Sequence, residues 1–483
     1  MTPRTALLLG VIVAMAALPA IAQVDTGSVD FTRYASMGDS LAAGFSSGGL
    51  HIEGQVLSFP SLISSQTRGT AAFEQPLVSA PGIPNILSLQ SLSPLIIAPQ
   101  PGQAGPLNLG LQRPYDNMAV PGARVGDVVR TRGGGLHDLI LRGLGTQLEL
   151  VASQQPTFVS LFIGNNDVLG AATSGIVIDG VTLTSAAQFE GDLRTIAGTL
   201  AAVGVQGTAI ATIPSVVSIP YVTTIPPVLV NPATNEPVVI NGQLVPLIGP
   251  NGPLGPGDHV LLPASAELAR GLGIPAALGG TGQPLSDASV LSAGETAEIE
   301  ARREELNAVI RAVAGETGAA LVDIARIFDQ VVQRGILQGG ILLTSDFLTG
   351  GLFSYDGVHA SPIGYAIIAN AFIDAINATY GGNIPAVTMA PFLLGDLGRL
   401  PGTSSVGTLA VGSSFIFTAE AYENLRVALN IPKTKKLLRI KNRRARRQAA
   451  AVAVGSDDEL DTRSSRRSLR RQRRELRRAL RLR

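Results

Sequence analysis

Residues 156–163 read PTFVSLFI and run directly into Gly164-Asn165-Asn166-Asp167. A short, nearly unbroken run of apolar, β-branched and aromatic residues that stops at a glycine-asparagine turn describes a strand buried on both faces, as in the interior of a parallel sheet. Working outward, residues 31–37 (FTRYASM) stop in the same way at Gly38-Asp39-Ser40, and 205–213 and 319–324 are two more buried-strand candidates. Helical stripes lie between and after them: Phe189, Leu193, Ile196 and Leu200; Ile299, Leu306, Ile310 and Val313; Tyr365, Ile368, Phe372 and Ile376. Each set recurs at the spacing of one helix face. Strands alternating with helices of this length predict an α/β fold, a parallel sheet with helices on both faces.

Composition narrows the function classes. The 483 residues are 45% hydrophobic and 15% charged, within the globular range, so wholesale disorder is excluded. The absence of cysteine removes disulfides, thiolate metal sites, a cysteine nucleophile and a lipoprotein anchor together. There is no tryptophan and only 4% aromatic residues, so stacking platforms for bases or sugars are thinly supplied. The net charge of +1 conceals a division: residues 433–483 hold 20 Lys+Arg against 5 Asp+Glu, leaving 17 basic against 31 acidic residues before them.

Residues 1–22 combine Arg4, an apolar run too short to span a bilayer and an Ala20-Ile21-Ala22 cleavage pattern, which predicts a signal peptide and an exported protein (periplasm, cell surface or medium). Proline crowds residues 214–263, with 11 of the chain's 31. A 213–288 insertion without helical period is therefore expected on the loop side of the sheet, as a wall or lid of the site. Residues 385–432 are apolar and Gly-rich, with no role legible. The 433–483 tail is expected to be a disordered or helical extension. An anionic membrane surface or polyanion would be its partner if it docks, and export argues against nucleic acid.

For chemistry, a serine needs a histidine as base and usually a carboxylate to fix that ring. Of His51, His137, His259 and His359, only His359 has a well-spaced carboxylate, Asp356, with Gly357 to permit the turn. His137 has Asp138 beside it, but neighbours on a helix point apart. Two serines compete. Ser46 lies in Gly44-Phe45-Ser46-Ser47-Gly48, which spells G-x-S-x-G, but without the strand before and the helix after that this elbow requires. Ser40 has both, at the carboxyl edge of the predicted sheet.

Four blocks resemble the SGNH (GDSL) serine hydrolases, over about residues 31–384. Gly38-Asp39-Ser40-Leu41 matches the signature; Asn117 to Arg124 carries Gly122; Gly164-Asn165-Asn166-Asp167 fits G-x-N-D; Asp356-Gly357-Val358-His359 fits D-x-x-H. The resemblance implies Ser40 as nucleophile, His359 as base, Asp356 as its partner, and an oxyanion hole from Ser40 and Gly122 N–H and the Asn166 amide. Taken with the alternation of elements, it implies a flavodoxin-like three-layer α/β/α domain over 23–384 with about five parallel strands. It departs from many relatives in having Ala360 rather than proline after the base. It implies a carboxylic, lipid or acyl ester as substrate, cleaved through an acyl-enzyme without metal or cofactor. No Asp/His grouping has ligand spacing. Apolar stretches around 78–99 and 222–248 are candidates for an acyl groove. A catalytically inactive family member that binds a surface lipid or glycan is the alternative.

Overall fold

Two strands, β1 (Tyr34–Gly38) and β2 (Phe158–Phe162), are buried at every residue. The computed structural model describes residues 24–69, 71–92, 94–396 and 415–456, so the signal-peptide reading and the end of the basic tail lie outside the described residues. With β3 (Gly207–Ala211) and β4 (Ala320–Val322) these strands form a parallel sheet in the order β1-β2-β3-β4. The fold is mixed α/β with this sheet at its centre.

The sheet has four strands rather than about five. Residues 116–120 run along the outer edge of β1, with Ser36 N donating to Asp116 O at 2.8 Å, Met118 N to Ser36 O at 2.9 Å and Val120 N to Gly38 O at 3.1 Å. Only Ser36 and Asn117 form a bridge. The Asn117 side chain accepts from Ala119 N at 3.2 Å, a local turn that competes with strand geometry, and Pro121 follows. The chain thus steps to one side of β1 and then returns to β2 on the other. That reversal puts a crevice at the carboxyl end of β1, where open α/β sheets place their ligands.

The helices around the sheet include α1 (Ser40–Ala43), α2 (Asn166–Ser174), α3 (Ala186–Ala202), α4 (Ala293–Thr317), α5 (Ile324–Arg334) and α6 (Pro362–Tyr380). Strand alternation assigns the faces. Phe158 and Phe162 meet Tyr380 and Phe372 of α6, while Leu161, pointing the other way, borders Leu193 and Ile196 of α3. The long α4 packs on α3 and opens with a capping box between Ser292 and Glu295.

Downstream lie the hairpin β5 (Ile336–Gln338) and β6 (Ile341–Leu343), then β7 (Phe415–Phe417), α7 (Ala419–Ala428) and α8 (Thr434–Ser456). β7 pairs in parallel with the strand Leu95–Pro99, and Phe417, Leu425, Leu429, Ile431 and Leu437 join the main hydrophobic core. The 213–288 segment, expected to lack helices, carries two-residue hairpins such as Val239–Ile240 with Gln243–Leu244 together with the short helices Pro220–Thr223 and Ala264–Leu268, and is joined to the body by Tyr221 and Leu262, both fully buried.

Candidate active site

Gly38 closes β1 at φ 148°, and a Cβ there would stand 2.1 Å from Phe162 O, so only glycine lets the two strands end side by side. Asp39 caps α1: its Oδ1 accepts from Leu41 N at 3.1 Å and its Oδ2 from Asn165 Nδ2 at 2.9 Å. Burial pushes its carboxyl up to about 6, against the opposing pull of those bonds and of the His359 charge. Ser40 follows, 3% exposed. Among the described residues its backbone N–H has no acceptor.

Gly122 and Asn166 come from the two neighbouring loops. Gly122, at φ 79°, leaves its N–H without an acceptor among the described residues. A Cβ there would lie 2.6 Å from Ala428 O. The Asn166 amide donates one proton to Ala123 O at 3.0 Å, which fixes the group and leaves its second N–H free of any partner among the described residues.

His359 and Asp356 are joined across their loop, Nδ1 to Oδ2 at 2.7 Å. The carboxylate also accepts from Gly48 N at 2.7 Å, His359 N at 2.8 Å, Val358 N at 2.9 Å and Ser354 Oγ at 3.2 Å. Burial alone would raise the Asp356 pKa, but the His359 charge and these bonds outweigh it and hold it below the usual range. The Phe45 ring lies against the imidazole, 4.7 Å between centroids. The other ring nitrogen, Nε2, is buried and has no partner among the described residues, and no hydrogen bond joins it to Ser40 Oγ. An Nδ1–H held by a carboxylate leaves Nε2 with the lone pair, the form a general base requires.

The remaining candidates fall elsewhere. Ser46 sits in a tight turn paired with Gly49, with Ser47 N donating to Ser354 Oγ at 2.8 Å. The G-x-S-x-G stretch thus buttresses the Asp356 loop and presents no elbow. His51 caps the short helix Ile52–Val56, His137 is buried in the helix Leu136–Leu141, and His259 pairs with Leu291. Burial lowers the pKa of all three.

Sequence reasoning missed how the blocks hold one another. Asn165 binds Asp39, Asn117 Nδ2 donates to Ala42 O at 2.8 Å, and Asp167 Oδ2 accepts from Val125 N at 3.0 Å. Asp167 is fully buried, its Oδ1 has no partner among the described residues, and burial pushes its carboxyl up to about 7. The signal was present in the repeated Asn and Asp of the motifs, but which amide meets which carboxylate depends on loop geometry.

The site is roofed. Tyr221 N donates to Gly357 O at 2.9 Å, and Phe417 stands edge-on to Tyr221 while its N–H donates to Ser265 Oγ at 2.9 Å. The insertion and the C-terminal segment therefore meet above the catalytic loop, and the α7 end covers Gly122. Of the apolar stretches expected to form an acyl groove, Leu87–Leu92 and Leu95–Pro99 form the small sheet with β7, with Leu87 N donating to Ser47 O at 2.6 Å beside the Asp356 loop, and part of 222–248 lines a cavity of about 420 Å³ within the insertion.

The family described as GDSL-like Lipase/Acylhydrolase matches residues 34–372. No curated protein matches the chain. Among solved structures, the acetylxylan esterase Axe2 from Geobacillus stearothermophilus is 14% identical, covering 72% of this chain and 96% of that one at a TM-score of 0.35. LAE5, an alpha/beta hydrolase enzyme from the metagenome of Lake Arreo, Spain, is 15% identical over 72% and 95%, TM-score 0.34. A putative GDSL-like lipase from Parabacteroides merdae is 13% identical over 72% and 99%, TM-score 0.32. At such scores these likenesses carry no argument.

Proposed function

The chain belongs to the GDSL-like lipase/acylhydrolase family, and from that premise we propose that it is an exported serine esterase working through an acyl-enzyme on Ser40. The family supports ester hydrolysis at the coarse level. The finer reading is carried by His359, whose Nδ1 is tied to Asp356 at 2.7 Å while Nε2 has no partner among the described residues.

Ser40 Oγ attacks the ester carbonyl as His359 Nε2 takes its proton, and Asp356 holds the ring and balances the imidazolium. The Ser40 and Gly122 N–H groups and the free Asn166 N–H receive the oxyanion. His359 then protonates the leaving alcohol, and water, deprotonated by the same nitrogen, releases the acid. The Oγ–Nε2 bond forms on substrate binding, since catalytic bonds often tighten only in the complex. The burial of Ser40 and the missing bond favour a second reading, an inactive surface binder of lipid or glycan.

Hydrolysis of p-nitrophenyl esters by the protein and by Ser40→Ala separates the two. Turnover abolished by the substitution supports the esterase. Turnover surviving it would make Ser40 the wrong nucleophile, and a folded protein inert on every ester would favour the binder. Exposed Lys435, Lys436, Arg439 and Arg443 on α8 support a further part of the reading, contact with an anionic membrane surface. Salt-sensitive co-sedimentation with phosphatidylglycerol vesicles but not phosphatidylcholine vesicles is the expected result.

A further inference from the structure

The stretch from Gly44 to Gly48, which spells an elbow without forming one, touches both members of the His359–Asp356 pair. The Phe45 ring lies against the imidazole, and Tyr365 OH fixes the Phe45 carbonyl with a hydrogen bond of 2.5 Å. Ser46 and Gly49 exchange two backbone hydrogen bonds of 3.1 Å, closing a two-residue turn with φ 51° at Ser47 and 77° at Gly48. Positive φ at both central residues marks a type I′ turn, whose central N–H groups stay out of the ladder. Both serve the catalytic loop: Gly48 N donates to Asp356 Oδ2 at 2.7 Å and Ser47 N to Ser354 Oγ at 2.8 Å. Ser354 Oγ in turn donates to Asp356 Oδ1 at 3.2 Å.

The two carboxylate oxygens are held differently. Oδ1 accepts from the loop's own Val358 and His359 N–H groups. Oδ2, the oxygen that meets His359 Nδ1, has one other donor among the described residues, Gly48 N. With only the loop's own donors the carboxylate would be free to pivot about Oδ1 and swing Oδ2 off the imidazole. Ser47 is not glycine, and a left-handed φ at such a residue persists where its surroundings over-determine it, as they do around functional sites. We propose that Ser354 and the Ser47–Gly48 turn are positioning elements of the reaction, which aim Asp356 Oδ2 at His359 Nδ1 and so orient the base towards the nucleophile on the same stretch of chain. The inference rests on the esterase reading of the site and adds the residues that align it.

The test compares kcat and KM on p-nitrophenyl butyrate for the parent protein, Ser354→Ala and Ser354→Thr. Ser354→Ala deletes the hydroxyl while the loop keeps its backbone bonds, Ser354 N to His359 O at 2.9 Å and Gly357 N to Ser354 O at 3.0 Å. Its kcat should fall about tenfold, the size of one lost hydrogen bond to a charged group. KM should hold, since the loss falls on the imidazolium of the transition state and not on the bound ester. Ser354→Thr keeps the hydroxyl and should recover kcat. If the alanine variant does not fold, Ser354→Thr against Ser354→Val, which differ by a hydroxyl for a methyl, makes the same comparison. The far-downfield proton NMR signal of the His359 Nδ1–H, expected in the parent protein, should be lost without the hydroxyl and return with threonine. An unchanged kcat in folded Ser354→Ala, or a fall that threonine does not reverse, would overturn the proposal and leave the esterase reading standing. A parent protein inert on every ester would sink the esterase reading, and the proton signal alone would then decide: lost without the hydroxyl, the turn aims the pair; retained, it does not.

Discussion

Asn166 shows how little freedom the site allows a single side chain. Its amide is anchored on Ala123 O by one proton, so the other is aimed without rotational cost. Asn166→Ala removes one oxyanion donor, and kcat on a short soluble ester should fall by about 10²–10³ while the melting temperature stays near that of the parent. A loss accompanied by unfolding would make the residue structural instead. Asp167 is the contrasting case, a buried carboxyl that burial pushes up to about 7. Its folded pKa lies above the unfolded value, so the native state binds its proton more tightly. The stabilisation is full below about pH 4 and is lost as pH rises through about 7. Asp167→Asn keeps an oxygen for Val125 N and removes the titration. Urea unfolding from pH 4 to 8 should show this decline flattened in the variant, and parallel curves for the two proteins would refute the assignment.

At the scale of elements, the four strands and the long helices were legible because burial writes itself into short apolar runs and 3.6-residue stripes. The GDS and D-x-x-H blocks were legible because each falls where a strand or loop must end. The edge beside β1 was not, since Asn117 turns its own backbone before a strand can form. The Ser46 stretch shows the limit of a motif: its spacing fits an elbow, yet its backbone serves Asp356 through Gly48. The start of α6 gives a testable counterpart. Ser361 Oγ accepts from Gly364 N at 3.2 Å and donates to Gly351 O at 2.6 Å, two residues beyond His359. Ser361→Ala should cost about 1–2 kcal/mol, as the loss of an N-cap does, read from the urea midpoint. An unchanged midpoint would mean water replaces both bonds.

The whole molecule is less modular than its charge division suggests. A tail that differs so sharply in composition reads as an appendage, yet its described part, α8, docks on the body: it seats the fully buried Leu437 while Lys441 reaches Glu295 at 3.2 Å and Asp287 at 3.4 Å. The segment just before it is bound in as well, β7 adding to the sheet of Leu95–Pro99 and the α7 end covering Gly122. Of the α8 contacts, the apolar one matters more to stability, since a buried leucine is worth about 2–5 kcal/mol by truncation and partly exposed ion pairs at most about 1. The residues that cover Gly122 end before α8 begins, so stability and catalysis should separate there. Removing residues 433–483 is expected to lower the melting temperature and leave kcat on a short soluble ester unchanged. An unaltered melting temperature would show that α8 does not dock in solution. A large fall in kcat would show instead that α8 holds the α7 end over the oxyanion glycine, and that the roof takes part in the reaction.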